Sequence, residues 1–173
     1  MSKFLAALTL LLFIGIKNTY CQSLNSKIPA IAGNINDWEG LFTDAQKAQL
    51  DSISVLFAYK TNIPILVVTF GAGNTTKEGS DGFVQQVDSL LFDNNASTAD
   101  MAIFLSKDFR VLNFQNHTPA TSDTSKLGEW KAKMQQIFTN SVQPYIPLLK
   151  DGKYAEALLA TISDLAVAVK KEM

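Results

Sequence analysis

Three aspartates stand where this chain would change from one element to the next. Asp37 lies just before a first helical pattern, Asp93 follows a second, and Asp100 immediately precedes a strand pattern. In an α/β sheet covered on both faces, loop carboxylates at strand ends can meet near one rim. A hard cation such as calcium takes about six to eight oxygen ligands, so two or three carboxylates with carbonyls and water would form a site. Aspartate is also a usual turn and capping residue, and no EF-hand spacing accompanies these three. The residue types leave both roles open. The remaining candidates carry less chemistry. No Gly-x-Ser-x-Gly, phosphate loop or His-Glu-x-x-His is present, so no nucleophile or zinc motif is visible. His117, the single histidine, sits in a polar stretch and reads as a solvated loop residue, because a catalytic histidine needs an orienting partner. Gly71-Ala72-Gly73 follows a strand but lacks the third glycine of a phosphate-cradling turn. Trp130 and Met134 recur at helical spacing and read as core.

These residues are carried by a 173-residue chain that opens with a leader. Lys3 gives a basic start, Phe4 to Ile16 is almost wholly apolar, and Lys17 to Cys21 is a polar exit. That pattern reads as a secretory signal peptide over residues 1–21, since a membrane span needs about 20 apolar residues. Cleavage after Cys21 would leave Gln22 first, with no transmembrane anchor and a periplasmic or extracellular location. The bulky Tyr20 disfavours lipidation of Cys21. That cysteine is the only one, which rules out an intramolecular disulfide and a cysteine cluster for metal. The 152 residues from Gln22 onward suffice for one core. Without Lys3 and Lys17, the 15 basic residues become 13, against 16 acidic ones. With no basic block, nucleic acid is not expected as a partner. Asn-x-Ser/Thr sequons at Asn74, Asn95 and Asn116 fall in polar stretches that read as surface loops.

The elements follow from pattern. Gln22 to Asn34 reads as a flexible entry segment. Thr43 to Gln46 is a capping box that opens a helix to about Tyr59, with Leu50, Ile53 and Phe57 on one face. Ile63 to Phe70 suits a strand covered on both faces. A second helix starts at Ser80 or Asp81, and Phe83, Val87, Leu90 and Leu91 give its apolar face. Met101 to Leu105 is a second strand, joined to the first by an expected right-handed crossover. Phe109 to Phe114 returns antiparallel after a turn at Ser106 to Asp108. A third helix begins near Leu127, Pro144 and Pro147 interrupt it, and a last helix runs through Tyr154 to Val169. The predicted fold class is α/β, a three-layer α/β/α sandwich with a small mixed central sheet covered by helices. One domain over residues 35–172 is expected.

Several of these segments resemble the TPM domain, named for a thylakoid lumen protein, a photosystem II repair protein and a nematode receptor modulator. Asn36-Asp37-Trp38-Glu39-Gly40-Leu41-Phe42-Thr43-Asp44 resembles its opening. Thr61 to Thr69 resembles its first long strand, Asp100 to Ser106 its second, and Asp108 to Val111 the hairpin that follows. Pro144, Gly152-Lys153-Tyr154 and Ala157-Leu158 resemble its closing helix pair. The resemblance implies an α/β/α sandwich outside the cytoplasm. It also implies calcium binding, as in some members, with Asp37 and Asp100 at the recurrent acidic positions, and acid phosphatase activity, as assigned to a plant member. Where the family carries Gly-x-Gly-x-Glu, this chain reads Phe114 to Pro119 without those residues. The expected function is therefore binding, calcium-dependent or not, in envelope or membrane-protein maintenance, with an unknown protein partner at the cell envelope. The alternatives are a metal-assisted phosphatase using Asp37 and Asp100, and a structural domain docking a membrane protein.

Overall fold

A computed structural model describes residues 28–92, 100–117 and 127–172. The leader with Cys21, the sequon at Asn95 and the candidate ligand Asp93 lie outside these. The order is β1 (Ile35–Asp37), α1 (Asp44–Thr61), β2 (Ile65–Thr69), α2 (Ser80–Phe92), β3 (Met101–Ser106), β4 (Val111–Asn116), α3 (Leu127–Val142), a 3-10 turn (Gln143–Tyr145), α4 (Ile146–Lys150) and α5 (Tyr154–Glu172). The strands form one mixed sheet in the order β1-β2-β3-β4. The first three are parallel and β4 is antiparallel to β3. The expected α/β sandwich is what forms.

β2 and β3 are buried along their whole length, as their unbroken apolar runs require. Alternate residues feed two cores. Ile65, Val67, Ile103 and Leu105 pack with Leu50 and Phe57 of α1, Met134 and Phe138 of α3, and Leu158, Ile162 and Leu165 of α5. Leu66, Val68, Ala102 and Phe104 pack on the other face with Phe83, Val84 and Val87 of α2. Thr43 and Gln46 close the expected capping box, with Gln46 N donating to Thr43 Oγ1 and Thr43 N to Gln46 Oε1. Asn62 ends α1 in the left-handed region at φ 54° and donates its N–H to Ala58.

The entry segment differs from the flexible stretch expected, and a strand is added at its end. From Ile28 onward the entry segment is ordered against the protein. Ile28 and Ile31 pack on the α2 core, Asn36 Oδ1 accepts the Ala32 amide at 2.7 Å, and Asn34 O accepts the Val67 amide at 2.8 Å. The segment leads into β1, a strand the apolar pattern does not reveal. Its three residues include two polar ones whose side chains serve local turns, and it forms because β2 offers an edge.

The crossovers have opposite hands. The strands advance in one direction, yet α1 and α2 lie on opposite faces. In an upward strand of L-residues, a side chain facing the viewer has its N–H and C=O pointing right, by Cα chirality. Val67 faces α1 and its N–H reaches Asn34, so β1 lies to the right and β2 follows it leftward. The β1-α1-β2 connection is therefore left-handed, against the strong general preference, and β2-α2-β3 is right-handed as expected.

Candidate functional site

The carboxyl ends of β1, β2 and β3 lie together, the usual position for a ligand crevice in such sheets. Asp37 closes β1, and its carboxylate is 2 % exposed. Its Oδ1 accepts the Leu41 amide at 2.9 Å and the Thr69 hydroxyl at 2.7 Å; its Oδ2 accepts the Phe42 amide at 3.0 Å. The Lys47 ammonium stands 4.0 Å from Oδ2. Glu39, two residues on, reaches the β3–β4 turn and accepts the amides of Lys107 and Asp108 at 3.0 and 2.9 Å. Asp108 in turn accepts the Ala72 amide at 3.1 Å. The three rim acids thus tie the loops after β1, β2 and β3 into one knot, each through backbone N–H donors.

Burial pushes the Glu39 carboxyl above its ordinary value, opposed by its two amide donors and by Lys107, and assisted by the neighbouring Asp108. Gly71 is where the knot is tightest. A Cβ there would stand 2.8 Å from Asp108 Oδ2 and 3.0 Å from Glu39 Cγ. The Gly71-Ala72 segment is no phosphate cradle, because Asn74 Oδ1 takes the Gly71 amide and Asp108 takes that of Ala72.

Asp100 lies at the opposite end of the sheet. Asp37 is level with Thr69, and Thr69 with Leu105, whereas Asp100 precedes Met101. Five residues of strand separate the two levels by about 16 Å, so Asp37 and Asp100 do not share one site. Asp37 also does not suit calcium. Its oxygens face N–H and O–H donors and an ammonium, where a cation cage needs further oxygen acceptors. Among the described residues no group of three or more His, Cys, Asp or Glu is placed to hold a metal.

The far end holds a pair that local sequence does not show. His117 Nε2 lies 2.9 Å from Asp88 Oδ2, a residue of α2. Both are partly buried, at 31 % and 18 % exposure, which corrects the reading of His117 as a solvated residue lacking a partner. The His117 amide donates to Asp100 O at 2.8 Å. Burial holds the Asp100 carboxyl above its ordinary value, and His117 opposes this. A depression of about 250 Å3 beside the pair is lined by Phe114, Gln115, Asn116, Lys131 and Gln135 as well. An Asp that orients a His is the supporting half of a triad, but among the described residues no Ser, Thr or Cys lines this depression. Asn116, expected on a surface loop as a sequon, closes β4 and is buried. Nothing in the spacing of Asp88 and His117 announces their contact, since it depends on where α2 crosses the sheet.

No protein-family model matches the chain, and no curated protein does. Two solved structures resemble its fold. The N-terminal domain of the cg2496 protein from Corynebacterium glutamicum aligns with a TM-score of 0.55 at 14% identity, covering 83% of this chain and 85% of that one. The N-terminal domain of a protein from P. gingivalis aligns with a TM-score of 0.52 at 17% identity, covering 80% and 82%. At such identities the likeness is one of fold.

Proposed function

We propose that this chain is a TPM-type binding domain, acting outside the cytoplasm in envelope or membrane-protein maintenance, and that it is not an enzyme. The observation that supports this is the use of the rim acids. Asp37, Glu39 and Asp108 all accept backbone amides of neighbouring loops, which preorganises a loop surface and leaves none of them placed as the base of a nucleophile. The metal-assisted phosphatase loses its main support because Asp37 and Asp100 stand at opposite ends of the sheet. Calcium is accordingly no part of this proposal.

The test is turnover of a generic phosphate ester by the purified protein, with and without divalent metal. Hydrolysis at the buffer rate is the expected result. Metal-dependent turnover that is lost in Asp100→Asn would overturn the binding role in favour of the phosphatase. Location is tested separately. N-terminal sequencing of protein recovered from the extracytoplasmic fraction should begin at Gln22, and recovery of intact chain from the cytosol would overturn the assigned compartment.

A further inference from the structure

Between the β3–β4 hairpin and the α4–α5 corner lies a groove of about 620 Å3. Leu112 of β4 and Ile146 and Leu149 of α4, which share one face of the sheet, give it an apolar floor. Lys107 and Arg110 on the hairpin and Lys150 at the end of α4 stand at its mouth. All three are exposed, and none makes an ion pair among the described residues. Among the described residues no acidic side chain lines the groove. The adjacent Asp108 is turned toward β2, where it holds the Ala72 amide. Lys107 also feels the Glu39 carboxylate beside the hairpin, but Arg110 and Lys150 line the groove with it, so an anion held there is attracted by all three cations.

Arg110 adds a second observation. It sits at φ 57°, a region that glycine enters freely and a long side chain enters at a cost. The hairpin thus holds an arginine at a position whose backbone favours glycine, and that arginine lines the groove.

We infer that this groove binds a small, free amphiphile whose aliphatic chain ends in an anionic head, carboxylate or phosphate. The chain lies on Leu112, Ile146 and Leu149, and the head is reached by Lys107 and Arg110 from one side and Lys150 from the other. A volume of about 620 Å3 falls in the usual range for small-molecule pockets. An extended peptide along β4 is disfavoured, because the floor stops at Leu112. Beyond it Phe114 is covered by the stacked ring of Phe138 from α3, with centroids 4.5 Å apart. The inference rests on the binding role proposed above and names its ligand.

The experiment is a titration of the isotope-labelled protein with octanoate below its micellar concentration, followed by amide chemical shifts. Octanol and acetate are the controls. Saturable shifts at Leu112, Leu149, Lys150 and Tyr154 are expected with octanoate, and weaker ones with either control. Lys107→Gln and Lys150→Gln should each weaken octanoate by about three- to fivefold, as loss of one partly exposed charge pair would. Absence of saturable shifts, octanol binding as tightly as octanoate, or affinity unchanged in both variants would overturn the inference. Binding to anionic vesicles without octanoate binding would also overturn it, in favour of a lipid surface. None of these outcomes depends on phosphate-ester turnover, so failure of the ligand and failure of the binding role are read separately.

Discussion

Thr69 donates its hydroxyl to Asp37 Oδ1 at 2.7 Å, and Thr69 Oγ1 itself accepts the Glu39 amide at 3.1 Å. One threonine at the end of β2 thus fixes the loop after β1 from both sides. Glu39 then carries the connection to the β3–β4 turn through two further amides. The rim is held by fixed anions facing backbone dipoles, an arrangement that stiffens loops that would otherwise be the mobile part of an α/β sheet.

Removing the Asp37 carboxylate should unfasten this knot. In Asp37→Ala the amides of Leu41 and Phe42 and the Thr69 hydroxyl lose their acceptor in a buried place. The expected cost is about 2–4 kcal/mol, because buried donors left without partners lose their full desolvation energy. Asp37→Asn keeps one oxygen and should cost about 1–2 kcal/mol by the same reasoning. Urea unfolding of the two variants against wild type measures both. Calcium added after EDTA should leave the wild-type midpoint in place, since Asp37 faces donors. A calcium-specific rise that vanishes in Asp37→Asn would show the carboxylate to be a ligand.

Gly71→Ala should strain the same knot from the β2 side. The new methyl group meets Asp108 Oδ2 at 2.8 Å and Glu39 at 3.0 Å, and both acids are held by amides. Neither can retreat without breaking a hydrogen bond, so a cost of about 1–3 kcal/mol is expected, typical of overpacking. Amide shifts concentrated at Ala72, Lys107 and Asp108 would locate the strain. An unchanged spectrum with wild-type stability would mean the loops separate freely.

The acids with raised pKa make stability depend on pH in a defined direction. Burial raises Glu39 above 4.5 and Asp100 above 3.8. Just above those values the unfolded chain has released protons that the native state still holds. The native state binds more protons in that window, so the contribution of these groups is full below 3.8 and 4.5 and falls as pH rises through the folded values. Unfolding free energy measured across that range should decline less steeply in Glu39→Gln and in Asp100→Asn than in wild type. A steeper decline in either variant would contradict the sign.

Arg110→Gly should stabilise the fold. Its φ of 57° suits glycine, and release of the steric cost outweighs the added freedom of the unfolded chain by about 0.5–1 kcal/mol. Thermal unfolding measures the gain. A loss of stability would show that the arginine side chain holds the hairpin by contacts of its own.

Legibility in the sequence followed the range of the interactions. The capping box at Thr43 and Gln46 was readable because both partners lie within one turn. β2 and β3 were readable because burial on both faces demands unbroken apolar runs. β1 was hidden, since Asn36 and Asp37 are poor strand formers and pair only because β2 presents an edge. Asp37 reads in the sequence as a candidate metal ligand, whereas its bonds to Thr69 and to two loop amides depend on the parallel register of β1 on β2, which no spacing reveals. Asp100 reads as its partner ligand, yet the register places it at the opposite end of the sheet, and no spacing tells which end of a strand faces which rim.

The sequence by itself determined the fold class, the succession of helices and long strands, and the absence of an intramolecular disulfide, because those follow from hydrophobic period, local capping and the count of cysteines. Only the tertiary structure decided that α1 and α2 take opposite faces, that Glu39 meets a turn 68 residues away, that His117 finds Asp88, and that three cations crown an apolar groove. These depend on the hand of each crossover and the register of each strand. Both are settled when non-local surfaces pack, and neither leaves a periodic mark on the chain.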